Sequence, residues 1–179
     1  NKIPNDQRMC YECIEVIKDG ATIPTDSAVT ALPAAIATGK VLQVVQDTHG
    51  TEISTSSPGG AEVDSGVSAS ITPSSSSNKI LVIGSVQVQE NKSGSNTLYW
   101  RTKIKADSST IYDGQSAEIV SNDTGEFGLR TTVQVLHSAN STSQITYTLK
   151  VKNDDGGATA MVINRNGSPA SITLMEIAG

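Results

Sequence analysis

Hydrophobic and polar residues alternate along most of the chain from residue 40 onward. In each run, every second residue is apolar, and a period of two places such residues on one face of a β-strand. The face predicted to be buried comprises Ile80, Val82, Val86 and Val88 in the first run, Leu98, Trp100, Ile104 and Ala106 in the second, Phe127, Leu129, Val133 and Val135 in the third, and Ile145, Tyr147, Leu149 and Val151 in the fourth. Two further apolar stretches, Val41 to Val45 and Ile172 to Ile177, predict a first and a last strand.

Clusters of Ser, Asn, Asp and Gly separate these runs, and no helical pattern lies between them. Short strands divided by regular turn signals are typical of an antiparallel sandwich, whereas a parallel sheet needs helical crossovers. Asn166-Gly167 and Asp155-Gly156 are dipeptides that supply the positive φ of tight turns. We therefore predict an all-β fold, an antiparallel two-sheet sandwich of jelly-roll type, over residues 39–179.

Residues 1–38 have a different pattern and are predicted to form a separate attachment segment and linker. Asp6 is a helix N-cap candidate and Gly20 a C-terminal one. One face of that helix, bordered by Ile14, would carry Met9, Cys13, Val16 and Ile17. A short strand through Ile14 and Val16 is the competing interpretation. Pro24 and Pro33 interrupt any period in residues 21–38, as expected of a linker.

Charge and composition narrow the classes of partner. The formal net charge is −5 and the sequence pI is about 4.9, so a basic footprint for nucleic acid is not expected. No apolar run approaches the roughly 20 residues that cross a bilayer, so membrane insertion is not expected. Both cysteines, Cys10 and Cys13, precede the β region, which must be stable without disulfides and suits assembly in a reducing cytoplasm.

Candidate catalytic and metal-binding residues have simpler structural interpretations. Cys10 and Cys13 form a C-x-x-C motif without the βαβ context of a redox site or further zinc ligands. We predict that His49 occupies a turn and that His137 is a hydrogen-bonded histidine at a strand end. The carboxylates of Asp154 and Asp155 suit a hairpin turn better than calcium. We therefore expect no catalytic residue, no metal ion and no cofactor.

Two segments carry a resemblance to a known family. They are Gly66-Val-Ser-Ala-Ser-Ile-Thr-Pro-Ser-Ser-Ser-Ser-Asn-Lys-Ile-Leu-Val-Ile and the ending Ser171-Ile-Thr-Leu-Met-Glu-Ile-Ala, with Gly39 to Gln46 as the opening. Over about residues 39–179 the chain resembles a C-terminal module of fibre and structural proteins of marine tailed bacteriophages. The resemblance implies a role on the virion surface and, commonly, a homotrimer assembled in the bacterial host cytoplasm.

The resemblance leads to a predicted function. The chain is expected to be a non-enzymatic fibre module, on a tail or a head, that projects for attachment to a host-surface polymer or receptor. The N-terminal residues Met9, Cys13, Ile14, Val16 and Ile17 would dock on another virion protein, although packing on their own domain explains them equally well. A capsid decoration protein and a carbohydrate-binding module are the alternatives. The latter would need exposed aromatic side chains, and Trp100 and Tyr147 are predicted to face the core.

Some apolar residues fall outside the alternation. Apolar side chains on both faces of a strand would cover either an axis between subunits or the opposing sheet. These residues are Leu81, Ile83, Met161, Ile163, Met175 and Ile177.

Overall fold

The computed structural model describes residues 39–55, 61–92, 97–120, 125–154 and 161–179. Within these ranges the chain forms ten β-strands, one 3₁₀ turn and no α-helix, which confirms the all-β prediction. The strands are β1 Val41–His49, β2 Ile53–Thr55, β3 Glu62–Ile71, β4 Lys79–Lys92, β5 Thr97–Ala106, β6 Ser109–Val120, β7 Gly125–Ser138, β8 Ile145–Asn153, β9 Met161–Ile163 and β10 Ala170–Ile177, with the 3₁₀ turn at Arg165–Gly167 between the last two.

The strands form two antiparallel sheets. In sheet A, β4 is central: it pairs with β7 on one side and with β10 and then β9 on the other. Strand β1 lies outside β10, and β2 lies outside β9. In sheet B the order is β3-β8-β5-β6.

The pairing of the eight long strands is nested. The first strand, β1, pairs with the last, β10. Within this pair along the sequence, β3 pairs with β8, β4 with β7 and β5 with β6. The chain thus follows the path of one long hairpin whose successive pairs alternate between the sheets. A double-sheet roll of this kind is a jelly roll, as the sequence predicted.

The core lies between the sheets and is built by the alternating residues of both inner faces. Trp100, Ile104, Tyr147, Leu149 and Val151 from sheet B are fully buried. They face Ile80, Val82, Val86, Val88, Ile172 and Leu174 of sheet A, all also fully buried. The predicted inner faces of β4 and β8 are therefore confirmed.

One predicted core residue is not in the core. Leu129 of β7 is 48% exposed, although Val133 on the same face of the strand is 7% exposed. On this face of β7 only Thr131 and Val133 are buried, whereas Phe127 and Val135 are partly exposed, so the middle of the strand is covered most closely. Period alone fixes which face a residue is on, and not how far the opposing sheet reaches.

At Asn166-Gly167 the predicted positive φ is confirmed, but the type of turn differs from the prediction. Asn166 and Gly167 both have positive φ, 55° and 71°. They lie in the 3₁₀ turn after β9 and do not form a two-residue hairpin. Asp155-Gly156, the predicted helix or strand with Met9, Cys13, Ile14, Val16 and Ile17, and the predicted linker lie outside the described residues.

Candidate functional site

The outer face of sheet A carries a patch of aliphatic side chains. Val44 lies opposite Met175, Met175 opposite Leu81, and Leu81 opposite Leu136, so one row crosses all four long strands. The apolar patch consists of this row and its apolar neighbours Val41, Leu42, Ile83 and Ile177. Val44, Leu136 and Leu42 are 57%, 52% and 41% exposed, and the others are partly exposed.

The apolar residues outside the alternation divide between the two faces of sheet A. Met161 and Ile163 are buried between the sheets, at 1% and 0% exposure, so they face the opposing sheet. Leu81, Ile83, Met175 and Ile177 lie on the outer face.

The outer face of sheet B has the opposite character. Lysine and arginine side chains of β5 and β8 are paired there with carboxylates of neighbouring strands and with Asp154, which follows β8. The ion pairs are Lys103 with Glu62 and Asp113, Lys105 with Glu62, Lys150 with Asp64, Arg101 with Asp113 and Asp154, and Lys152 with Asp154. Hydrogen bonds from Lys105 and Lys103 lower the pKa of the Glu62 carboxyl to about 2. The two outer faces of the sandwich therefore differ: one carries an aliphatic patch and the other an ionic network.

The centre of this network predicts a salt-dependent contribution to stability. Lys103 is 13% exposed in its side chain and contacts two carboxylates, at 3.0 Å for Glu62 and 3.1 Å for Asp113. We expect Lys103→Met to lower the free energy of unfolding by about 1 kcal/mol at low salt. Chemical denaturation in low salt and in about 1 M NaCl should show the difference shrinking at the higher ionic strength.

Lys150→Met is the matched control, because Lys150 lies directly opposite Lys103 and has a single ion pair with Asp64 at 2.8 Å. Its effect should be smaller than that of Lys103→Met. Equal effects of the two variants, or effects independent of salt, would contradict a stabilising network.

A buried carboxylate joins the two segments that carry the phage resemblance. Glu176 in β10 is 0% exposed. Its Oε1 accepts hydrogen bonds from the backbone N–H and hydroxyl of Ser74, both at 2.7 Å, and from Asn78 Nδ2 at 2.6 Å. Its Oε2 accepts one from Gln43 Nε2 in β1 at 2.6 Å. The serine-rich connection between β3 and β4 is thus tied to the last strand, and we call this contact the Glu176 joint.

The joint sets the ionisation of the carboxylate and fixes the end of the chain. Burial acts to raise the pKa of Glu176, but the hydrogen bonds from Asn78, Gln43 and Ser74 outweigh it and lower the pKa to about 2. Asn78 Oδ1 also accepts a hydrogen bond from the Gly179 N–H at 3.1 Å. Glu176 is therefore ionised at neutral pH and holds three parts of the chain together.

Both histidines have structural contacts. His137, next to the last residue of β7, lies 2.8 Å from the Tyr147 hydroxyl through Nδ1, as a hydrogen-bonded strand-end histidine should. Burial lowers the pKa of His137, while burial and the Asp107 carboxylate raise the pKa of Tyr147 to about 12. His49 is the last residue of β1 rather than a turn residue, and its ring lies against Gly66.

His137 borders an open hollow of about 260 Å³ at the end of the sandwich where the β5–β6 turn lies. The hollow is also lined by Asp107, Ser109, Ser141 and Ser143. Asp107 itself forms the turn: its φ is 51°, its N–H donates to Thr146 O, and its carboxylate accepts from the Thr146 N–H. Two of the polar residues that line the hollow, Asp107 and His137, therefore already make hydrogen bonds within the fold.

The acidic residues considered for calcium are in part placed by ion pairs. Asp154 pairs with Lys152 and Arg101, and Asp155 lies outside the described residues. Among the described residues, no three His, Cys, Asp or Glu side chains are grouped as ligands for a metal ion. The described part of the chain also has no helix long and apolar enough to span a membrane.

No protein-family model matches the chain, and no curated protein matches it. Among solved structures it is similar to one of infectious bursal disease virus Gx strain, with a TM-score of 0.42 and 12% identity over 79% of this chain and 39% of that chain. For the VP2 subviral particle of infectious bursal disease virus the TM-score is 0.41, with 15% identity over 75% and 39%. For the tripod (BppUct-A-L) of the bacteriophage Tuc2009 baseplate it is 0.30, with 12% identity over 98% and 94%. The chain spans about two fifths of the first two, and all three are from virus particles or their parts.

Proposed function

We propose that the chain is a non-enzymatic structural module of a tailed-phage particle. It is a fibre module, homotrimeric, that projects from the virion and attaches to the host surface. Its N-terminal segment, with Met9, Cys13, Ile14, Val16 and Ile17, docks on another virion protein of the capsid or tail.

The observation that carries this proposal is the Glu176 joint. The serine-rich segment and the terminal Ile-Thr-Leu-Met-Glu-Ile of the resemblance are about a hundred residues apart in sequence, and a serine-rich turn alone arises readily by composition. In the fold, Ser74 and Asn78 of the first segment bind the carboxylate of Glu176 in the second. Two parts of the resemblance are thus one physical contact, and this supports reading them as the mark of one kind of module.

The two outer faces of the sandwich support the same proposal. An ionic face is stable toward water, whereas exposed aliphatic side chains are stabilised when another protein surface removes them from water. A particle protein needs both kinds of surface, because it is solvated on one side and packed in an assembly on the other.

A carbohydrate-binding module is the less favoured alternative. Such modules commonly stack aromatic rings against sugars, and the rings of Trp100 and Tyr147 are 0% exposed within the core. The aliphatic patch has no aromatic member. Capsid decoration remains the closer alternative, since it too places the chain on a particle, and the experiment below separates it from the fibre.

Competition with infection tests the proposal. We expect the purified chain, added to susceptible cells before phage, to reduce plaque number, because it occupies the surface groups that the fibre binds. The same amount of heat-unfolded chain is the control. Binding to phage capsids without any reduction in plaques would instead identify a decoration protein, and binding to neither cells nor particles would refute a virion role.

A further inference from the structure

We propose that Asn166 is a site of spontaneous covalent modification, at which the side-chain amide is lost by hydrolysis and a carboxylate replaces it. The 3₁₀ turn at Arg165–Gly167 and the ion pair of Arg165 with Glu126 control the rate of this deamidation. The inference goes beyond the proposed function, because it rests only on the chemistry and geometry of the turn.

Asn166 is followed by glycine, and this makes its side-chain amide reactive. Asn166-Gly167 is the one Asn-Gly dipeptide in the sequence. The backbone nitrogen after an asparagine attacks the side-chain Cγ, and a Cβ on the following residue hinders that approach. Glycine has no Cβ and a permissive backbone, so the attack is easiest there. Both residues are exposed, and no atom lies within 4 Å of a Cβ built on Gly167, so water reaches the site.

The reaction needs water as its only co-reactant. The Gly167 nitrogen forms a bond to Cγ of Asn166 and gives up its proton, while the bond from Cγ to Nδ2 breaks and ammonia leaves. Water then opens the resulting succinimide ring at one of its two carbonyls, to give either aspartate or isoaspartate. In total one water is consumed and one ammonia is released, without oxidation or reduction. Aspartate adds a negative charge beside Arg165, and isoaspartate lengthens the backbone between β9 and β10.

The folded turn keeps the two reacting atoms apart. Asn166 has a φ of 55° and a ψ of 31°. This value of ψ places the Gly167 nitrogen nearly anti to the Asn166 Cβ about the Cα–C bond, whereas closure of the ring requires the two atoms to be nearly eclipsed. The Cα–C bond of Asn166 must therefore rotate through a large angle, and the turn must open, before the nitrogen reaches Cγ.

Two contacts hold the turn closed. The Ser168 N–H donates to Arg165 O at 3.1 Å, and Arg165 contacts the Glu126 carboxylate of β7 at 2.8 Å. The side chains of that ion pair are 30% and 50% exposed, whereas Asn164 and Ala170, on either side of the turn, are 0% exposed. Opening of the turn is therefore a local event that leaves the core folded.

Mass spectrometry of peptides tests the proposal. The purified chain is incubated at mildly alkaline pH, either folded or unfolded in guanidinium, and conversion of Asn166 is followed by the mass gained when an amide becomes a carboxyl. We expect conversion in the folded chain to be about tenfold slower or more, because it requires local opening. Asn140 is the internal control, since it is exposed with a φ of 51° but is followed by Ser141. It should convert more slowly than Asn166 in the unfolded chain.

Glu126→Gln tests the role of the ion pair, with Glu62→Gln as the matched control. Glu126 contacts the turn, whereas Glu62 pairs with Lys103 and Lys105 in sheet B. Loss of a partly exposed ion pair eases opening, so Glu126→Gln should speed conversion of Asn166 in the folded chain by about two- to fivefold. Its rate in the unfolded chain should not change, and Glu62→Gln should leave both rates at the wild-type values.

Equal rates of conversion in the folded and unfolded chains would overturn the proposal, as would an unfolded chain in which Asn166 converts no faster than Asn140. A wild-type rate in folded Glu126→Gln would also contradict it. Gly167→Ala, measured in the unfolded chain so that folding is not required, should slow conversion because its Cβ hinders the attack. An unchanged rate in that variant would refute attack by the nitrogen of residue 167.

Discussion

Replacing Glu176 with glutamine should lower the free energy of unfolding by about 3 kcal/mol at neutral pH. The pKa of this carboxyl falls from 4.5 to about 2 in the folded protein, and a difference of that size corresponds to about 3 kcal/mol of preference for the ionised form. Glutamine retains one acceptor oxygen for Ser74 and Asn78 but turns an amide N–H group toward Gln43 Nε2, where two donors meet. Urea or guanidinium denaturation at pH 7 measures the loss.

The pH dependence of that loss is the sharper part of the prediction. Because the folded pKa lies below the unfolded one, the ionised Glu176 contributes its full stabilisation above about pH 5 and loses it as the pH falls toward 2. The stability difference between wild type and Glu176→Gln should therefore be constant from pH 7 to 5 and shrink at pH 3. A difference that does not change with pH would contradict the assignment of the low pKa to this group.

Glu126→Gln is the matched control for this experiment. A hydrogen bond from Arg165 lowers the pKa of the Glu126 carboxyl, but the Glu126 side chain is 50% exposed and has water as an alternative partner. Its replacement should leave the unfolding midpoint near the wild-type value. The comparison separates the effect of burial from that of losing one negative charge.

The Glu176 joint could be anticipated only in part from the sequence. The alternation of β10 places Glu176 on the same face as Ile172 and Leu174, which signals a carboxylate among core residues. The residues near Glu176 in sequence do not indicate its hydrogen-bond partners, because Gln43 and Ser74 are 133 and 102 residues away in the chain. Their proximity follows from the nested pairing of the strands, and strand pairing is nonlocal.

The sequence pattern missed two of the long strands, β3 and β6, and each has a physical reason. In β6, register shifts opposite Trp100/Arg101 and Ile104/Lys105 each add an unpaired residue. A bulge reverses the faces of all residues beyond it, so the period of two is lost although the strand continues. Strand β3 keeps its alternation through the irregularity between Asp64 and Ser68, but its inward face includes Ser65 and Ala69 and so lacks a continuous apolar pattern. Regular strands such as β4 and β8 were predictable because they have no such interruption at their apolar positions.

Only part of the apolar patch could be predicted from the sequence, because its extent depends on which strands pair. Leu81, Ile83, Met175 and Ile177 stand out because they interrupt the polar positions of regular strands. Leu136 belongs to the patch only because β7 pairs with β4 and brings it opposite Leu81. Single strands thus reveal that an outer face is apolar, whereas the extent of the patch depends on sheet order.

The bulge in β3 leads to the second large effect, at Gly66. This residue has a φ of +85°, its N–H donates to Asp64 Oδ1 at 3.0 Å, and a Cβ added to it would overlap the ring of His49. We expect Gly66→Ala to lower the free energy of unfolding by about 2 to 4 kcal/mol, as the sum of left-handed strain and displacement of the ring. Gly167→Ala is the control, because Gly167 has a φ of +71° with no atom within 4 Å of an added Cβ. That variant should lose about 1 kcal/mol, from the backbone alone.

A double-mutant cycle distinguishes the two causes at Gly66. If the ring of His49 is the obstacle, Gly66→Ala should cost less in a His49→Ala background than in the wild type, and the remaining cost should approach that of Gly167→Ala. Thermal and chemical unfolding of the four proteins of the cycle measure the coupling. Additive losses would mean that the ring moves aside at no cost, and the requirement for glycine would then be one of backbone conformation only. A smaller loss in the His49→Ala background would mean that the His49 ring helps to hold β1 and β3 together. These strands lie in different sheets, and the ring packs against Gly66 only because glycine has no side chain.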